Sequence, residues 1–264
     1  METKYNVKFG DIWQIGNHRL LCGDSTEKVM VEEFLKDKKP KLCVTDPPYG
    51  ISYASKCASK ELFKLKLKND HIVSWGDAFR NAQAPVLYVW FSYMYFDIVS
   101  RSLLDSAYDI KQMIIWAKNH FSLQRHMYHL QHEQSLVCIK HGSKVLEHWT
   151  GDRRQTSVWN VPSVKHKDRL HPTEKPAGVY SIPIKNHTRE GDIVLDIFAG
   201  SGVVFEAAER LGRIGYGIEL CPKVCGLILS RMEKFGCDIS LESNIFDFPI
   251  KYPVSSVSAH PLNS

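Results

Sequence analysis

The sequence predicts an α/β fold, a mostly parallel sheet with helices on both faces, and three observations predict it. Short apolar runs alternate with stretches of helical spacing along most of the 264 residues, the pattern a doubly covered sheet produces. Proline- or glycine-rich turns directly follow two of those runs, where open α/β sheets bind ligands. The composition, 44% hydrophobic and 24% charged, is that of an ordinary globular chain, and the length suits one large domain over residues 1–264.

From the amino end, apolar runs at 12–15 and 19–22 are parted by Gly16-Asn17, so a hairpin is expected over 8–22. The second run ends at Gly23-Asp24. Ser25 or Thr26 is placed to cap a helix carrying Val29, Met30, Phe34 and Leu35, and Pro40 stops that helix before the strand Leu42, Cys43, Val44. This strand ends at Asp46-Pro47-Pro48-Tyr49. Between Gly50 and Trp75 the period weakens and lysines stand at 56, 60, 64, 66 and 68, which predicts a mobile loop or a short, poorly anchored helix. Strands are expected at 85–90, 113–116 and 135–139, with helical spacing from Phe91 to Leu104. Residues 141–170 lose the hydrophobic period and carry Lys144, Arg153, Arg154, Lys165, Lys167 and Arg169, a polar basic insert. After the segment HPTEKP at 171–176, the pattern gives a helix to about His187, a strand at 193–197, the turn Phe198-Ala199-Gly200-Ser201-Gly202, a helix at 203–211, a strand at 213–219 and a last helix near 222–235. The tail from Tyr252 is expected to add little.

Charge and cysteines narrow the function. A net charge of +5 permits a polyanionic partner without demanding one. The seven cysteines include no CxxC pair, so neither a disulfide framework nor a zinc site is suggested. Histidines 126, 129 and 132 are spaced by three, which scatters them around a helix and splits them between the faces of a strand, so no metal is expected. No apolar run reaches the roughly 18 residues of a membrane span and the first residues lack a signal-peptide pattern. A cytoplasmic protein without membrane association is the expectation.

Two turns carry chemistry. Glycines between the 193–197 strand and the following helix let the backbone approach a nucleotide, with the helix-start amides facing it. A dinucleotide fingerprint wants glycine three residues after Gly202, and Phe205 stands there, which weighs against a pyrophosphate ligand and a dehydrogenase. Glu219 ends the next strand, placed to accept from two ribose hydroxyls; the plain alternative is a glycine turn beside a surface glutamate. In the other turn, two prolines remove two backbone donors, so the Asp46 carboxylate and Pro47 carbonyl offer acceptors suited to an exocyclic amine, and Tyr49 offers a ring on which an extracted base can stack. A proline-stiffened turn with a capping Asp is the plain alternative here.

TDPPYG at 45–50, FAGSG at 198–202 and HPTEKP at 171–176 together resemble the amino-group DNA methyltransferases that use S-adenosylmethionine. Their order resembles the permuted beta class, over roughly residues 8–236. The resemblance implies a Rossmann-like methyltransferase sheet with circularly permuted motif order, adenine-N6 or cytosine-N4 methylation of a flipped base, and a place in restriction and modification. Residue by residue, it implies that Asp46 and Pro47 receive the amine hydrogens and Tyr49 stacks on the base. Asp196, Phe198, Gly200, Ser201 and Gly202 would surround the cofactor, Glu219 its ribose and Asp24 its adenine, while Thr173, Lys175 and Pro176 belong to the segment closing over the methionine end.

Asp at the head of DPPY resembles the adenine enzymes more than the cytosine-N4 enzymes, so adenine N6 is the first reading and cytosine N4 the second. The Pro-Cys pair of carbon-5 cytosine methyltransferases is absent; Cys221-Pro222 has the reverse order. A non-catalytic DNA-binding subunit is a further alternative, and the intact motifs argue against it. DNA phosphates are expected on Lys56, Lys60, Arg153, Arg154 and Lys165. The insert is short for a target-recognition region, which leaves relaxed specificity, a homodimer sharing the duplex, or a partner subunit that reads it.

Overall fold

A computed structural model describes residues 4–48, 75–123, 127–163 and 175–247. In chain order these form β1 (Asp11–Ile15), β2 (His18–Cys22), α1 (Lys28–Leu35), β3 (Leu42–Thr45), α2 (Gly76–Ala82), β4 (Val86–Phe91), α3 (Phe96–Leu104), β5 (Tyr108–Ser122) and β6 (Leu130–Lys140). The chain continues through β7 (Val158–Asn160), α4 (Ala177–His187), β8 (Ile193–Asp196), α5 (Val203–Arg210), β9 (Ile214–Glu219), α6 (Pro222–Lys234) and β10 (Ile239–Asn244). All ten strands join one sheet in the order β10-β1-β2-β9-β8-β3-β4-β6-β5-β7. The central strands β2, β9, β8, β3 and β4 run parallel, and antiparallel pairings flank them.

The central strands are apolar at nearly every position because both sheet faces are covered. Alternation sends Leu20, Val44, Tyr88 and Val194 to the face packed by α4, α5 and α6. It sends Leu21, Cys43, Leu87 and Leu195 to the face packed by α1, α2 and α3. The Rossmann-like sheet expected from the sequence is the fold observed.

Differences from expectation fall where periodicity is uninformative. Neither Ser25 nor Thr26 caps α1; its first flanking residue is Glu27, and Asp24 Oδ1 instead accepts from the Thr26 amide at 2.9 Å and hydroxyl at 2.7 Å. The helix expected from Phe91 begins at Phe96, after a 3-10 turn at Tyr93–Tyr95. β5 and β6 extend well beyond their apolar centres, because an antiparallel ladder pairs the backbone even where side chains face water. The basic insert contains β7, paired with β5, and β10 adds an edge strand on β1; three polar-flanked residues and a polar alternating run gave neither away. The 50–75 segment up to residue 74 and the tail from Tyr252 lie outside the described residues.

Phe205, the residue that broke the dinucleotide pattern, fills space left by two glycines of β9. A Cβ on Gly217 would stand 2.5 Å from Phe205 Cζ, and one on Gly215 would stand 3.0 Å from its Cδ1. The close approach of helix to sheet is thus bought on the strand and not on the helix. Phe205→Ala is expected to cost about 3–5 kcal/mol, read as a lower urea midpoint with unchanged slope; an unchanged midpoint would contradict this packing.

Candidate active site

The carboxyl ends of four neighbouring parallel strands bring four carboxylates to one sheet edge: Asp24 after β2, Glu219 ending β9, Asp196 ending β8 and Asp46 after β3. Ligands of open α/β sheets bind at this edge. β3 and β8 are direct neighbours, with Leu42 opposite Val194 and Cys43 opposite Leu195. At their ends Thr45 Oγ1 donates to Asp196 Oδ1 at 2.7 Å, although the residues are 151 positions apart. Trp75 adds a second tie, donating its indole N–H to the Pro48 carbonyl at 3.2 Å while its ring meets Phe198 edge-on at 4.9 Å. The Asp46-Pro47-Pro48 and FAGSG turns therefore stand side by side.

Within the glycine turn, Gly200 (φ 52°) and Gly202 (φ 77°) adopt left-handed backbone, which a Cβ disfavours. A Cβ on Gly202 would also stand 2.9 Å from Ile228 Cγ2. Glu219 holds the turn from β9: its Oε2 accepts from the Gly200 amide at 3.0 Å and its Oε1 from the Cys221 amide at 2.9 Å. The Ser201 carbonyl accepts from Arg231 at 3.2 Å. Asp196 is fully buried and works inside the scaffold, accepting from Thr45, from the Phe198 amide at 3.0 Å and from the Tyr180 hydroxyl at 3.1 Å. Burial pushes the Asp196 carboxyl up to about 7 against those three donors, with the charge of Asp46 adding to it. Burial likewise pushes Glu219 up to about 7 against the Cys221 and Gly200 amides.

The other half of the site is built differently. Lys175, 5% exposed at its side chain, pairs with Asp46 Oδ2, and its Nζ lies 3.2 Å from Glu133 Oε2. Glu133 in turn meets Lys118 Nζ at 2.5 Å. Burial favours the neutral Glu133, but Lys175 and Lys118 outweigh it and hold the carboxyl down to about 2. Burial opposes the charge on Lys175, and Asp46 and Glu133 together more than restore it. Lys175, expected at the cofactor, thus has its ammonium on the Asp46 carboxylate. Pro176 is buried and precedes α4 as its N-cap residue. Thr45, Trp75 and Tyr180 enter the site without a role assigned from sequence, since no spacing rule links them to the two turns. Lys118 and Glu133 belong to segments, Trp116-Ala117-Lys118 and Tyr128 with Glu133, that resemble family segments near the base pocket, although core or surface roles fit the sequence equally well.

Tyr49, Lys56, Lys60, Lys165 and Thr173 lie outside the described residues. Arg153 and Arg154 are exposed but are not brought to Asp46. Just before them, the Thr150 and Gly151 amides donate to the Asn186 carbonyl, ten residues along α4 from Pro176, or about 15 Å. One His-Glu-Cys group, His18, Glu209 and Cys237, resembles a metal cluster only in composition. The Gly215 amide donates to His18 Nδ1 at 2.8 Å, so the ring proton sits on Nε2 and points at Glu209, 2.9 Å away. A metal on Nε2 would force a proton onto Nδ1, against the Gly215 N–H.

A glycine turn and an Asp-Pro-Pro turn thus stand side by side at the ligand-binding edge of a Rossmann-like sheet. The N6/N4 methyltransferase family model, described as DNA methylase, matches residues 41–230, and the chain belongs to that family. It is 24% identical over 239 residues to the type II methyltransferase M.HpaI of Haemophilus parainfluenzae, covering 82% of this chain and 74% of that protein. To the type II methyltransferase M2.MboI of Moraxella bovis it is 30% identical over 111 residues, 41% of this chain and 36% of that protein. Among solved structures, the M1.HpyAVI–SAM complex superposes with a TM-score of 0.60 at 22% identity, covering 80% of this chain and 98% of that one. The PvuII cytosine-N4-specific DNA methyltransferase also gives 0.60, at 18% identity over 87% of this chain and 94% of that one.

The raised carboxyls give a pH signature. The folded state keeps a proton on Glu219 between the ordinary glutamate range and about pH 7, so this group's contribution to stability falls as pH rises through that window. The buried His18 and His187, both held down, act in the opposite sense, so the comparison must be with a variant. Glu219→Gln is expected to gain stability relative to wild type between pH 5.5 and pH 8 by about 1 kcal/mol or more, measured by paired thermal melts without cofactor. A difference that does not move with pH would refute the raised carboxyl.

Proposed function

We propose that this chain transfers a methyl group from S-adenosylmethionine to the exocyclic N6 amine of adenine in DNA, at specific sites. The observation that carries the reading is the contact of Thr45 with Asp196, which sets the amine-acceptor turn beside the glycine turn. The cofactor supplies a methyl group on a positively charged sulfonium. The donor and acceptor set fits it: Gly200 and Gly202 open the backbone, Glu219 retains lone pairs for ribose hydroxyls, and Asp24 stands one strand further for the adenine amine. Among the described residues, neither Asp196 nor Glu219 has a basic side chain as hydrogen-bond partner, so the cofactor side of the site favours positive charge.

Asp46 and the Pro47 carbonyl receive the two amine hydrogens. An aryl amine delocalises its lone pair into the ring; acceptors on both hydrogens favour a pyramidal nitrogen whose lone pair faces the methyl carbon. With the cofactor bound, a C–N bond would replace its C–S bond, and the proton then lost from nitrogen would pass to solvent, so Asp46 has only to hold the amine and need not be a strong base. Tyr49 stacks on the base, flipped from the duplex. The duplex presents the flipped base to the edge bearing Asp46, with the exposed Arg153 and Arg154 available to more distant phosphates, alone or with a second subunit.

Cytosine N4 is the second reading, favoured by the fold shared with the cytosine-N4-specific PvuII enzyme. Mass spectrometry of nucleosides from DNA treated with protein and labelled cofactor separates the two: N6-methyladenine is expected, and N4-methylcytosine alone would reverse the choice. Asp46→Ala is expected to abolish transfer, a loss of about 10²-fold or more, with cofactor binding by calorimetry retained. Near-normal turnover would refute the role of Asp46.

A further inference from the structure

We propose that Glu133, supported by Lys118, is a positioning residue for methyl transfer: it holds the Lys175 ammonium against Asp46 and so fixes the orientation in which that carboxylate meets the target amine. The inference rests on the reading of Asp46 as the acceptor of amine hydrogens.

Four charges alternate in sign across the site, from Lys118 on β5 to Glu133 on β6, to Lys175 at the entry to α4, to Asp46 after β3. Strand register builds the first pair, Lys118 with Glu133, because Trp116 lies opposite Glu133 on the β5–β6 ladder, leaving Lys118 two residues on and on the same face. Two indoles wall the chain of charges. The Lys175 ammonium lies 5.2 Å from the Trp90 ring centre, the Lys118 ammonium 5.2 Å from that of Trp116, and the rings meet edge to face at 6.2 Å.

An ammonium on a flexible four-carbon stem has three donors and no fixed plane. With its side chain 5% exposed, Lys175 has little water to satisfy them, so its direction is set by the opposed oxygens of Asp46 and Glu133. Removing Glu133 leaves a single anchor and frees the stem to swing. Buried ionic groups are weak stabilisers compared with apolar packing of equal volume, so an arrangement of this kind at a reacting edge serves orientation better than stability. Lys175 on Oδ2 does not exhaust Asp46, since an ionised carboxylate accepts at about four lone-pair positions. The direction of those lone pairs matters, because a misplacement of about 1 Å at a reacting group costs about 10²-fold in rate.

The full chain tests this on duplex DNA with labelled S-adenosylmethionine, comparing wild type, E133Q, E133D, K175M and E133Q/K175M for kcat, KM for DNA, cofactor Kd by calorimetry and thermal midpoint. E133Q is expected to lower kcat by about 10- to 100-fold while KM and Kd stay within about twofold. E133D, which keeps the charge, restores most of the loss. Because Glu133 acts through Lys175, E133Q lowers kcat no further in the K175M background. Normal kcat in E133Q, or losses that multiply in the double variant, overturns the proposal. If E133Q does not fold, K118M carries the test, with a smaller fall in kcat at unchanged Kd expected and an unchanged kcat overturning it. A wild-type chain that binds cofactor but methylates no DNA would instead overturn the reading of the function itself.

Discussion

The hydrogen bond from Thr45 to Asp196 is the constraint on which the rest of the site depends. It is buried at both ends, where an unmade bond would leave a carboxylate and a hydroxyl desolvated together. It forms only if β3 and β8 are adjacent, parallel and in the observed register. Each of those conditions comes from the apolar strands and the helices on the two faces, so the sheet core and the chemistry are one structural problem. Asp196 is accordingly a brace between two functional turns, with its oxygens turned inward.

Around that brace the electrostatics divide. On the β8–β9 side, Asp196 and Glu219 are held by amides and hydroxyls, and burial raises both carboxyls to about 7. On the β3–β6 side, Asp46 and Glu133 face lysines, and Glu133 is driven down to about 2. One half of the site therefore accepts positive charge and hydrogen-bond donors, while the other arrives already neutralised and rigid. A positively charged group donor and a neutral planar base differ in the same sense, which gives the division a chemical logic.

Much of this was legible in the sequence, for identifiable reasons. The parallel core strands announce themselves as short apolar runs, three of them (β2, β3 and β8) ending at Gly or Asp, and the glycine turn carries the residue type that its left-handed backbone demands. The edge elements were not legible: β7 and β10 draw their stability from pairing with β5 and β1 and not from their own pattern. Lys175 shows the same limit within the site. Its motif placed it near the cofactor, yet its partners Asp46 and Glu133 come from strands 129 and 42 positions away, a choice made by packing. Arg153 and Arg154 read as a basic patch by composition, and their placement follows from the Asn186 carbonyl that tethers the preceding amides.

The link from Trp75 to the Pro48 carbonyl has an evolutionary consequence. Pro48 and Trp75, the described residues that bracket positions 49–74, stand side by side, because the Trp75 indole donates to the Pro48 carbonyl. Closing a loop whose ends already touch becomes costlier only slowly with length, by about 0.6 kcal/mol per doubling. Changes of length between Pro48 and Trp75 can therefore accumulate across lineages at little cost to the sheet edge that carries Asp46 and Asp196.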